Sequence, residues 1–70
     1  MSYATQHEER TAAAMGYAHT RTVERGSRFQ KGSRNVWAIR DGWQTADLIN
    51  NHYCNHQKFA DLTDALRRPL

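Results

Sequence analysis

The stretch Val36-Trp-Ala-Ile-Arg-Asp-Gly-Trp-Gln-Thr-Ala-Asp-Leu-Ile49 decides how the chain is read. Its opening, Val36 to Arg40, is rich in β-branched and aromatic residues, which suit a pleated, half-buried surface. Asp41-Gly42 is a turn dipeptide that ends such a strand. Trp43-Gln44 then either begins a returning strand or closes the turn. From Thr45 the period changes. Thr45 suits a helix N-cap, and Asp47 suits the positive end of a helix dipole. Leu48, Ile49, His52 and Tyr53 follow as an apolar-leaning face at helical spacing. Asn50-Asn51 and Asn55-His56 are poor helix formers, so a break near 54–56 is expected. Phe59, Leu62 and Leu66 repeat at i, i+3 and i+7 as a second amphipathic helix. Arg67 and Arg68 complement its C-terminal dipole, and Pro69 stops it. The expected fold is α+β: a short hairpin or strand around 36–44 packed on one or two C-terminal helices spanning 45–68. The expected core is Trp37, Ile39, Leu48, Ile49, Leu62 and Leu66.

Upstream the pattern weakens. Thr5-Gln-His-Glu8 fits a capping box, and Gly16 sits where a helix C-terminal glycine belongs. The segment between them has almost no apolar stripe, and an isolated helix of about ten residues is marginal in water. Residues 1–16 therefore read as a loosely ordered helix or arm that gains order on binding. Residues 17–35 are punctuated by Gly26-Ser27 and Gly32-Ser33, both turn signals. Thr20 to Arg25 alternates and permits a short strand, while Arg28-Phe-Gln-Lys31 reads as a basic loop or hairpin tip.

Seventy residues make a single domain, 1–70, with a marginal core. Small domains usually lean on disulfides, a metal or a partner. Cys54 is the only cysteine, which excludes an internal disulfide and suits a reducing cytosol. The polar, acidic N-terminus does not read as a signal peptide, and no run approaches the roughly 18 apolar residues of a membrane span. The expectation is a cytoplasmic protein with no membrane partner.

Charge is segregated along the chain. Residues 21–40 carry Arg21, Arg25, Arg28, Lys31, Arg34 and Arg40 against Glu24, a net of +5. Residues 41–66 carry Asp41, Asp47, Asp61 and Asp64 against Lys58, a net of −3. Such separation points to charged partners and electrostatic steering. Eight of the ten basic residues are arginine, the side chain that binds phosphates and carboxylates bidentately.

The chemistry-bearing residues do not assemble into an enzyme. No glycine-rich phosphate loop, H-E-x-x-H or G-x-S-x-G motif occurs. Cys54 lacks a positioned base and a group to orient that base. His52, Cys54 and His56 form an H-x-C-x-H run whose three side chains share one face in a strand, while a helix faces only the histidines together. Zinc normally takes four ligands, and no second cysteine closes the site. The plainer reading is a partly buried thiol beside polar histidines, with no metal, cofactor or small-molecule substrate. The basic stretch is the better candidate. Arg21, Arg25, Arg28, Lys31, Arg34 and Arg40 surround Phe29 and adjoin Trp37, a combination suited to phosphates and exposed bases. Against this stands an ordinary charged hairpin with Phe29 and Trp37 in the core. Trp37 and Trp43 read first as core; a domain this small does not easily bury both, and one left partly exposed would be an interface anchor.

Two resemblances add to this. Val36 to Ile49 resembles the strand, turn and helix start of the small three-stranded DNA-binding domains of phage integrase arms, which carry a further strand ahead of that unit. Here glycines interrupt that region. In whole-chain character, short, basic and with a single cysteine, the protein is similar to the host-takeover proteins of lytic phages, including RNA-polymerase-binding transcription regulators. That likeness implies a non-enzymatic regulator that docks on a large nucleic-acid machine of the host, RNA polymerase first, and inhibits or redirects transcription. It assigns no residue a role. The alternatives are direct DNA or RNA binding by the basic hairpin, and a structural or assembly subunit.

Overall fold

A computed structural model describes residues 4–22 and 26–68. The protein is a small α+β fold built on one five-stranded antiparallel sheet with two helices. Helix α1 (Gln6–Ala14) leads into β1 (Ala18–Thr22), β2 (Gly26–Lys31), β3 (Arg34–Ile39), β4 (Gly42–Ile49) and β5 (His52–Phe59), and helix α2 (Leu62–Arg67) closes the chain. The strands lie side by side in chain order, each pairing antiparallel with its neighbours in sequence.

The expected hairpin around 36–44 is the β3–β4 pair, with Ile39 opposite Gly42 across the turn residues Arg40 and Asp41. Gly42 is obligatory. A Cβ there would meet the Phe59 carbonyl oxygen at 2.3 Å, so β5 returns over a position only glycine leaves open.

The expected helix from residue 45 is corrected: residues 42–49 and 52–59 are strands. Leu48, Ile49, His52 and Tyr53 mimic a helical face because they straddle a two-residue turn. Asn50 and Asn51 hold φ of +52° and +65°, the left-handed pair that a tight hairpin requires and that asparagine tolerates. The break near 54–56 is a β-bulge. Thr45 pairs with Gln57 but Asp47 pairs with Cys54, so Asn55 and His56 together oppose Ala46. Asn55 takes φ +57° there. Among the described residues the one C-terminal helix is α2, six residues long.

The N-terminal helix forms as read, but among the described residues it is packed on the sheet and α2 rather than loose. Its capping box forms as read, Glu8 N–H donating to Thr5 Oγ1 (3.2 Å) and Thr5 N–H to Glu8 Oε1 (2.8 Å). Gly16 turns the chain at φ +91°. What the helix lacks in apolar residues it replaces by close approach. Ala12 is fully buried among Tyr17, Leu62, Ala65 and Leu66, and the Ala4 amide donates to Ser27 Oγ at 2.9 Å.

Both helices cover one face of the sheet. Under them lie Phe29, Val36 and Trp43, joined by Ala4, Ala12, Tyr17, Leu62, Ala65 and Leu66. Of the expected core, Leu62 and Leu66 are buried. Trp37, Ile39 and Leu48 are only half-buried, and Ile49 is 49 % exposed. The strand register explains this: the apolar run 36–49 alternates across both faces, and only one face is roofed.

Truncating Leu62 to Ala should therefore cost on the order of 2–5 kcal/mol, whereas Ile49→Ala should melt within about 0.5 kcal/mol of wild type. Urea unfolding of the two variants measures both, and equal losses would contradict the one-sided core.

Candidate functional site

The seven residues of the basic stretch do not form one patch. Phe29 sits in the core at 0 % exposure, stacked on His19 with ring centroids 4.7 Å apart, so it offers nothing to a partner. Arg34 is 1 % exposed. Lys31 is half-buried, its ammonium 5.7 Å from the Tyr17 ring centroid. Arg21 is exposed on β1, and Arg40 is exposed in the β3–β4 turn. Arg25 lies outside the described residues. Arg28 alone of the set joins the uncovered face, opposite Trp37.

Arg34 belongs to an internal polar network. Its Nε donates to Asp47 Oδ1 at 2.7 Å and its Nη1 to the Arg68 carbonyl at 3.0 Å. The Tyr17 hydroxyl donates to the Leu66 carbonyl at 3.2 Å. Arg68 Nη1 donates to Thr45 Oγ1 and to the Asn55 carbonyl, each at 2.7 Å. Asn55 Nδ2 donates to Asp47 Oδ2 at 3.1 Å. The end of α2, whose carbonyls lack helical partners, is thereby pinned to the sheet. The Arg34 hydrogen bond holds the Asp47 carboxyl below its ordinary value, while burial pushes the Tyr17 phenol above its own.

The uncovered face is a separate surface, and register defines it. Arg28, Trp37, Gln44 and Lys58 stand opposite one another in a row across β2 to β5, and Leu48 opposes Tyr53. Trp37 meets Tyr53 edge to face at 5.5 Å and His56 at 6.3 Å. The Arg28 guanidinium lies 5.6 Å from the Trp37 ring centroid and 5.8 Å from that of Tyr53. Its Nη2 donates to Asn35 Oδ1 at 3.2 Å and to the Tyr53 hydroxyl. Tyr53 is 42 % exposed, and His56 and Lys58 are exposed. Asn35 and Ala46, in the middle of this face, are buried beside these larger side chains.

Sequence reasoning missed Tyr53, His56 and Lys58 because it read 45–68 as helical with a break near 54–56, where β5 in fact runs. The signal was present in the Asn-Asn dipeptide, which opens a hairpin as readily as it breaks a helix. Trp37 is the half-buried tryptophan of the pair, and Trp43 lies in the core. The bulge also undoes the H-x-C-x-H run. His52 and Cys54 oppose Ile49 and Asp47, whereas His56 turns to the Trp37 side. Among the described residues no group of three or more His, Cys, Asp or Glu side chains is placed to hold a metal ion.

Comparison with protein-family models, curated proteins and solved structures finds no match. No helix among the described residues is long and apolar enough to cross a membrane.

Two outcomes follow for the network. Arg34→Met should cost about 3–5 kcal/mol, since it strands a carboxylate and a carbonyl inside the fold. Asp47 supplies a pH test. Its folded pKa lies below its ordinary value of 3.8, so its stabilisation is complete above that value and is lost as pH falls through the folded one. Asp47→Asn should therefore melt below wild type at pH 7, with the gap narrowing in acid. A gap constant with pH would mean that the charge of Asp47 contributes nothing.

Proposed function

We propose that the protein is a non-enzymatic regulator that binds nucleic acid through the uncovered face of its sheet. One observation carries this reading: Arg28, Trp37, Tyr53, His56 and Lys58 share a face on which no described residue is a carboxylate. The described acids lie elsewhere. Glu8 and Glu9 are on α1, Asp61 and Asp64 are at α2, Asp47 faces the helices, and Asp41 is in a turn. A polyanion approaching this face meets Arg28 and Lys58 with no described carboxylate beside them, whereas on the helix side Glu8, Glu9, Asp61 and Asp64 are interspersed with Arg10 and Arg67. Both phosphate and base chemistry are served there. Arg28 and Lys58 suit phosphate oxygens, the rings offer stacking surfaces, and Gln30 and Gln44 carry amides that can meet base edges.

A second reading keeps the face and changes its occupant. Tryptophan, tyrosine and arginine are also the residues that anchor protein interfaces. A regulator that docks on an acidic surface of a host nucleic-acid machine, RNA polymerase first, would use the same cluster.

Two variants of equal charge decide the matter. Lys58→Glu alters the uncovered face, and Arg10→Glu alters the exposed side of α1. Affinity for a mixed-sequence oligonucleotide should fall linearly with log salt, at roughly −0.7 to −0.9 per phosphate contacted. Lys58→Glu should weaken binding at least tenfold and flatten that slope, while Arg10→Glu changes it little. Equal losses would mean diffuse attraction to a basic protein. No nucleic-acid binding, together with Lys58-dependent capture of purified RNA polymerase, would replace this reading by the second.

A further inference from the structure

We infer that the ligand of the uncovered face is an unpaired nucleic-acid strand, its bases stacked on the Tyr53, His56 and Trp37 rings and its phosphates held by Arg28 and Lys58. The inference rests on the nucleic-acid reading of this face and narrows it.

The first argument is shape. The row Arg28, Trp37, Gln44 and Lys58 crosses four adjacent strands. At about 4.8 Å per strand spacing it is roughly 14 Å across before the side chains are added. The major groove of duplex DNA is about 12 Å wide and admits a helix or a two-stranded ribbon. A four-strand row laid flat does not enter it, so on a duplex these rings would meet only backbone. On an unpaired strand the bases are free to turn toward them, and base–aromatic stacking contributes substantially per base whatever the sequence.

The second argument is the bulge. In a regular strand Tyr53 and His56, three residues apart, would point to opposite faces. The extra residue at Asn55 returns His56 to the face of Tyr53, and both rings stand edge to face against Trp37. Bulges re-aim side chains in this way, often near functional sites.

The third argument is preorganisation. Tyr53 is exposed yet held, its hydroxyl accepting from Arg28 Nη2, which also donates to Asn35. Rings fixed before binding lose little freedom when a base arrives. Because both of those bonds leave from Nη2, Arg28 Nη1 and Nε still have donors for a phosphate.

The test compares a short mixed-sequence DNA strand with the same strand annealed to its complement, using wild type, Tyr53→Leu and Tyr53→Phe, each checked for a native melt. Wild type should bind the single strand at least tenfold more tightly than the duplex. Tyr53→Leu should lose about tenfold on the single strand and leave the duplex unchanged, and Tyr53→Phe, which keeps the ring but gives up its bond from Arg28, should lose no more than about threefold. Equal affinity for strand and duplex, with neither altered by Tyr53→Leu, overturns this inference and leaves the nucleic-acid reading standing. A loss in Tyr53→Phe as large as in Tyr53→Leu assigns the effect to the hydroxyl and overturns stacking. Binding to neither form overturns both.

Discussion

A single buried guanidinium organises this fold. Arg34 stands at the start of β3 with 1 % of its surface exposed, and a cation so placed is tolerable only when nearly every donor is met. Asp47 on β4 meets it from one side, and the Arg68 carbonyl at the end of α2 from another. Those partners are 13 and 34 residues away, so the charge can be satisfied only once the sheet has formed and α2 has folded back. A chain of 70 residues with one cysteine has neither disulfide nor large core to specify that return. Replacing such a pair by apolar groups is often neutral, so what it supplies here is position. It fixes where α2 ends.

The same network shapes the opposite face. Arg68 reaches past Thr45 to the Asn55 carbonyl, and Asn55 reaches back to Asp47. These bonds hold the bulge residue, with its positive φ, from the helix-covered side. By holding it they hold the register shift that turns His56 toward Trp37. The polar contacts that dock a helix below the sheet therefore set the ring cluster above it. A substitution in the network would disturb both, although the two faces share no side chain.

This coupling is also where sequence reading ran out. Local signals were legible because each depends on a few neighbouring residues. The Thr5–Glu8 capping box, the glycine after α1, the strand from Val36 and the turn after it all stand as read. So do Leu62 and Leu66 in the core. Spacing failed from residue 45 onward, since a hairpin with Leu48-Ile49 before its turn and His52-Tyr53 after it has the same apolar spacing as a helix. Arg34 could not be separated from Arg28 by composition. Residue type says that a basic side chain seeks an anion, and only the register says that one anion is Asp47 inside the fold. Phe29 was misread for a related reason. Its basic neighbours alternate to other environments while its own ring points to the core.

The apparent basic patch of the sequence thus divides by depth. Arg34 serves the interior network, Lys31 lies over Tyr17, and Arg28 is the member that reaches the open face. Counting arginines along the chain overstates the charge available to a partner, yet it understates the contrast between faces. The described carboxylates lie on and beside the helices, among Arg10 and Arg67, or in the β3–β4 turn. The uncovered face carries few cations, Arg28 and Lys58, but no described carboxylate opposes them there. In the nucleic-acid reading proposed for it, rings and amides at fixed positions would supply specificity, and electrostatics would serve mainly to present them.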